Sequence, residues 1–289
     1  MFDYKEEVMK IAVFYDHILE ACKQSGKAEK QVLKELKEAG ITEIECSIEH
    51  LKVKGTKLRA FLEEEGFEIT SIYGIYDLGK NPDGNCAYEL VDMAVRMNTK
   101  KVLIIPGFLP RNFEHVEEKV KDMLFENMLH GVENLCAYAK GRGITVTMEE
   151  YDDYVAPYST SIGLLTFLER VPLLGCTFDT GNFLYQGEDS LDVLDQFLPR
   201  IVHVHCKDRN LNKVDGQWPK LTIEGKPMYA CAVGKGSIRM HDILLKLREA
   251  GYDNTVSIEH FGSKQQLEDM IESAGWLRRE LHDTCNNLE

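Results

Sequence analysis

The feature that most constrains this chain is an alternation. Short β-branched runs at residues 11–15, 41–46, 68–73, 101–105, 144–149, 174–179, 201–206 and 255–259 are separated by longer stretches in which apolar residues recur with helical spacing. Repeated βα units build a parallel sheet, because a parallel neighbour can be reached only through a crossover long enough to hold a helix. Eight such units fit a closed (β/α)8 TIM barrel, a fold that routinely uses about 250 residues as one unit. The 289 residues, 1–289, are therefore expected to form a single domain. An open doubly wound sheet fits less well, since no GxGxxG follows the first run.

Local signals agree with this reading. AEKQVLKELKEA (28–39) places Val32, Leu33 and Leu36 on one stripe, with Gly40 as a stop; Gly66 and Gly251 end other helices in the same way. The longest helix is expected over 113–140, closed by Gly141-Arg142-Gly143 just before the fifth run. One interval breaks the rhythm. Between 207 and 237, Gly216, Pro219, Gly225, Pro227 and Gly236 interrupt any periodicity. Because this interval leaves the C-terminal end of a strand, it is expected as an irregular loop over the barrel mouth, where active sites of this fold sit.

The net charge of −14 argues against nucleic acid, whose phosphates an acidic surface repels; a small neutral or metal-bridged molecule is the easier partner. Eight cysteines run from Cys22 to Cys285 without a CxxC pair and are expected as reduced packing residues. The opening MFDYKEEVMK lacks a basic leader region, and no apolar run approaches the roughly 18 residues of a membrane span. The expected location is cytoplasmic, without a membrane partner, and apolar helix surfaces leave a homo-oligomer open.

The chemistry gathers at the ends of the last four runs. ITVTMEE carries Glu149, GCTFDTGN carries Asp179, IVHVHCKD carries His203 and His205, and TVSIEH carries Glu259. An acid in a buried strand is costly to leave unpaired, and one divalent cation meets that cost for several acids at once. Taken singly, each residue could equally cap a helix or pair at the surface. Together they place three carboxylates and an imidazole on one rim. His203, one layer deeper on the same face as His205, is expected as a packed, hydrogen-bonded histidine.

At these residues the chain resembles the xylose isomerase-like barrel superfamily of sugar phosphate isomerases and epimerases, which also holds myo-inosose dehydratases and endonuclease IV. The similarity is strongest at DTGN (179–182), HVHCKD (203–208) and the closing stretch 233–260. It implies that Glu149, Asp179, His205 and Glu259 bind one divalent metal, with Mn2+ preferred and Mg2+, Co2+ or Zn2+ possible for such a donor set. It also implies a mechanism in which the metal chelates a ketose and stabilises an enediolate while Glu149 and Glu259 remove and return a carbon-bound proton. The implied partner is a small sugar or sugar phosphate.

Weaker expectations surround this set. Lys207 and Asp208 follow His205 in an HxKD pattern that points toward substrate. Asn182 stands where many members have histidine and could bond a hydroxyl. Gly234-Lys235-Gly236 could cradle a phosphate through Lys235 and its glycine-lined backbone, and Trp218 could cover a sugar ring. Residues 150–153 read mainly as a solvated acidic run, and His260 as structural. An endonuclease IV-like nuclease is disfavoured: the third strand ends in Tyr73-Gly74, the fourth runs into Pro106-Gly107, and Asn182 replaces a ligand. An inosose dehydratase-type lyase, a subunit that cleaves carbon glycosides, and a non-catalytic sugar-binding barrel remain as alternatives.

Overall fold

The computed structural model describes residues 9–283. Most of the N-terminal segment read above for a leader, and Cys285, lie outside them. All eight expected runs are strands: β1 Ile11–Phe14, β2 Glu43–Ser47, β3 Glu68–Ile75, β4 Lys101–Ile105, β5 Thr145–Met148, β6 Gly175–Asp179 and β7 Ile201–Cys206, with the last barrel strand at Val256–Ile258. Three short strands lie between the seventh and the last, β8 Asp208–Asn210, β9 Lys220–Leu221 and β10 Pro227–Cys231, so that the last is β11.

Every neighbouring pair in the barrel is parallel, and the sheet closes in the order β1-β11-β7-β6-β5-β4-β3-β2. Closure leaves no strand edge to protect. Side chains that point outward pack under the helices. The stripe Val32, Leu33 and Leu36 of the helix Glu29–Glu38 is fully buried there.

Some boundaries differ from expectation for local reasons. The first two βα units each carry two helices, Tyr15–Ser25 with Glu29–Glu38 and Ile48–Lys54 with Thr56–Glu65. Gly26, at φ 71, breaks the first pair in a left-handed conformation that costs glycine nothing. The helix expected over 113–140 begins with a short 3-10 turn, Phe113–His115, and is regular only over Glu118–Lys140.

The interval 207–237 is not irregular. It folds into an antiparallel three-stranded sheet in the order β8-β10-β9, with Met228 and Ala230 facing the mouth of the barrel. Its glycines and prolines mark turns between short strands; Gly225, at φ 81, sits in the turn joining β9 to β10. Among the described residues the cysteines are free thiols, and no helix is long and apolar enough to cross a membrane.

Candidate metal centre

Strand register brings the chemistry together. Asp179 ends β6 directly beside His205 of β7, while Glu149 and Glu259 follow the last residues of β5 and β11 at the same rim. One donor atom from each of Glu149, Asp179, His205 and Glu259 lies within 4.8 Å of all the others, and all four residues are buried. His205 Nδ1 is 2.8 Å from Glu149 Oε2, 3.1 Å from Glu259 Oε2 and 3.9 Å from Asp179 Oδ2.

The way the donors are used tests whether a cation fits. Asp179 Oδ1 accepts from the backbone N–H groups of Gly181 (2.7 Å) and Asn182 (2.8 Å), and His205 Nε2 faces Glu45 Oε2 at 3.2 Å. Glu149 Oε2, Asp179 Oδ2 and His205 Nδ1 make no directed hydrogen bond and meet only one another and the charges of Lys207 and Glu259. Buried polar atoms are usually hydrogen-bonded. Three carboxylates and an imidazole turning such atoms toward one point fit a divalent cation.

Beneath the cluster runs a polar chain that sequence reasoning missed. Glu45 Oε2, fully buried, accepts from His203 Nε2 (2.9 Å), His205 Nε2 (3.2 Å) and Ser257 Oγ (3.1 Å). On its other side His203 Nδ1 accepts from Lys101 Nζ at 3.1 Å, and Lys101 also reaches Asn254 Oδ1 at 3.2 Å. His203 is thus packed and bonded, as expected. Glu43 and Glu45 alternate inward on β2, so the reasoning applied to buried acids in the last four strands could have found Glu45 as well.

Protonation follows the same layout. Burial, only partly offset by His205, pushes Glu149 up to about 7. Burial also raises Glu259, but Lys207 and His205 overcome it and hold this carboxyl well below the ordinary range. His205 is disfavoured as a cation by burial, yet Glu45 and Glu149 raise it well above the usual imidazole value. His203 is lowered to about 4 by burial and by Lys101, so it is neutral.

The expected neighbours divide. Glu149, Glu259, Asn182, Lys207 and Trp218 line a cavity of about 560 Å³ at the mouth, with Asp179 and His205 buried at its floor. Lys207 Nζ lies 2.9 Å from Asp179 Oδ2, pairs with Glu259 and donates to Asn182 Oδ1 at 2.7 Å. Asp208 and Lys235 are not part of the lining. The Asp208 carboxylate accepts from the backbone N–H groups of Arg209, Gly234, Gly236 and Ile238 at 2.8–3.1 Å, and Lys235 pairs with Glu272. The glycine-lined turn expected to cradle phosphate instead cradles this carboxylate, and a Cβ on Gly236 would overlap it.

The acidic run is also not a solvated one. Glu150 and Asp152 are buried, Glu150 with its carboxyl raised by burial and Asp152 between Arg209 (3.0 Å) and Lys220 (2.5 Å). His260 is buried away from the cluster, bonded to Gln266 and stacked on His17, in keeping with a structural role.

Fold and site together define a closed (β/α)8 barrel with a buried carboxylate–imidazole cluster at its C-terminal mouth. Residues 33–280 match the model of the xylose isomerase-like TIM barrel family, and the chain belongs to that family. It is similar to the inosose dehydratase of Clostridium perfringens, at 30% identity over 138 residues, covering 47% of this chain and 46% of the relative. An uncharacterized protein of Methanocaldococcus jannaschii is 24% identical over 201 residues, covering 68% of this chain and 61% of its own length. The chain thus spans less than two thirds of these curated relatives. Among solved structures, a D-tagatose 3-epimerase-like protein superposes with a TM-score of 0.72 at 18% identity, covering 97% of this chain and all of its own. The IOLI protein with a binding zinc atom gives 0.71 at 18%, covering 96% and 99%.

Proposed function

We propose that this chain is a divalent-metal-dependent enzyme that moves a proton at the carbon beside a sugar or polyol carbonyl, as an isomerase or 3-epimerase. The observation that carries the reading is the convergence at the cavity floor of donor atoms from Glu149, Asp179, His205 and Glu259, those of the first three without a directed hydrogen bond. Glu149, Asp179, His205 and Glu259 would hold the ion, and manganese is our first assignment from the donor chemistry alone. When bound, a divalent ion supplies Lewis-acid polarisation of a carbonyl oxygen and stabilisation of the charge that develops on it.

The chain's own residues supply the rest. Glu149 and Glu259 both line the cavity and are placed to remove and return a carbon-bound proton. Lys207 and Asn182 place an ammonium and an amide beside them to orient hydroxyl groups. Glu45 holds Nε2 of His205 and leaves Nδ1 for the cation. Tyr151, Asp152 and residues of the β8-β10-β9 sheet form part of the cavity wall.

A second reading keeps the same residues. The same metal and carboxylates also suit expulsion of a hydroxyl as water, and the similarity to an inosose dehydratase favours a lyase of that type. Bound metal is measured by elemental mass spectrometry on protein purified without chelator, for wild type and an Asp179→Ala, His205→Ala double variant. Near one equivalent, lost in the variant, is expected. A folded wild type that neither carries nor takes up divalent metal would overturn the proposal. Incubation of ketoses in deuterated water then separates the two chemistries: deuterium incorporation without loss of water supports the isomerase, and a dehydrated product the lyase.

A further inference from the structure

We infer that the substrate is a hydroxyketone bearing a bulky apolar substituent, preferably an aromatic ring, rather than a bare sugar or a phosphate ester. The polar head rests on the proton-transfer reading above; the substituent is argued from the walls of the cavity. Above the floor one side of the cavity is apolar, while Tyr151, Asp152, Arg209 and Lys220 line the other. Phe14, Leu103, Ile105 and Met228 form the buried apolar side. Its rim carries three large apolar side chains in solvent, Trp218 (89% exposed), Ile75 (58%) and Phe261 (47%).

The aromatic surface is continuous from metal ligand to rim. The Phe14 ring lies 5.0 Å from the His205 ring and 5.6 Å from that of Phe261, both edge to face. Large apolar side chains left in water at the mouth of a cavity mark a surface that an apolar group covers. Because Glu149 and Glu259 line the same cavity, that group belongs to the molecule whose head sits on the floor. A space of about 560 Å³ falls within the range that encloses drug-sized ligands. A bare pentose or hexose, held by the polar side, would leave this apolar side uncovered.

Charge argues against a phosphate ester. Each cation lining the cavity already faces a carboxylate: Lys207 faces Asp179 and Glu259, and both Arg209 and Lys220 face Asp152. The backbone N–H groups of Gly234 and Gly236 are occupied by Asp208. A phosphate dianion would meet Glu149 and Glu259 with no free cation among the lining residues.

The test uses three ligands with a shared hydroxyketone head: hydroxyacetone, 2-hydroxyacetophenone and dihydroxyacetone phosphate. Their binding to the metal-loaded protein is measured by titration calorimetry. The aryl ketone is expected to bind at least about tenfold more tightly than hydroxyacetone, and the phosphate no better than hydroxyacetone. In Phe261→Ser and Ile75→Asn, both at exposed positions, the aryl-to-methyl ratio should fall toward one. Equal affinities, tightest binding of the phosphate, no binding of the aryl ketone, or a ratio untouched by both substitutions would overturn the inference. These outcomes are read in protein shown to carry metal, so they stand apart from failure of the metal-dependent reading, which appears as absent metal or absent solvent exchange.

Discussion

His205 is held from below by Glu45, and Glu45 in turn carries His203 and Ser257 while His203 is held by Lys101. Carboxylates behind a ligating histidine fix its ring and its tautomer, and their loss typically costs about 10–100-fold in metal affinity. Glu45→Gln is expected to weaken divalent binding by about that factor. Lys101→Met should act in the same direction through His203, with nitrogen NMR of the His205 imidazole reporting a changed tautomer. Glu149→Gln and Glu259→Gln should abolish turnover with the circular dichroism of the barrel intact, and His203→Gln should cost far less activity than His205→Gln. The pH dependence has a definite sign. Glu149 is raised to about 7, so below that value a proton competes with the metal. Metal affinity should fall as pH drops, first through His205, whose imidazole is raised well above its usual value, and further below about 7 through Glu149, with protons released on uptake; an affinity flat between pH 5 and 8 would contradict this assignment. At this scale the tetrad was legible because each member lies at or beside the C-terminal end of a strand run. Glu45 was not singled out, because it sits inside its run, where only the closed barrel shows it beneath His205.

Asp208 organises the element that covers the mouth. One carboxylate accepts four backbone N–H groups, tying β8 to the turn at Gly234–Gly236 and to the start of the next helical unit at Ile238. Removing it leaves several buried donors unpaired, at a cost of about 1–3 kcal/mol for each that water cannot reach. Asp208→Ala is therefore expected to destabilise the protein by on the order of 3 kcal/mol and to open the segment 207–237 to limited proteolysis before the barrel unfolds. Gly236→Ala, whose Cβ meets the same carboxylate, should give a smaller loss in the same direction, about 1–3 kcal/mol in a denaturant melt. The HxKD and GKG patterns marked both ends of this contact in the sequence. Their partnership depends on a turn made by residues between them, so a carboxylate acceptor and a phosphate cradle looked alike.

The barrel as a whole stores the cost of its buried acids. Glu149 has a folded value of about 7 against an ordinary 4.5, so between these values the folded chain keeps a proton that the unfolded chain has lost. Stability of the metal-free protein should therefore fall as pH rises from 4.5 to about 7, and Glu150, raised by burial, adds to the same trend at higher pH. A divalent ion that binds only the folded state reverses it, by about 2.7 kcal/mol at a hundred times Kd. Thermal melts with and without manganese across pH 5–8 should show the gap widening with pH; a constant gap would remove this link. The sequence by itself determined the number and order of βα units, the single closed barrel and the four strand-end residues of the cluster, because period, strand length and residue type are local properties of the chain. Only the tertiary structure decided that Glu45 and Lys101 stand behind His205, that Asp208 takes the glycine turn, that Glu150 and Asp152 are buried and that the 207–237 segment is a sheet. Each of these depends on which residues, distant in sequence, meet when the strands close on one another.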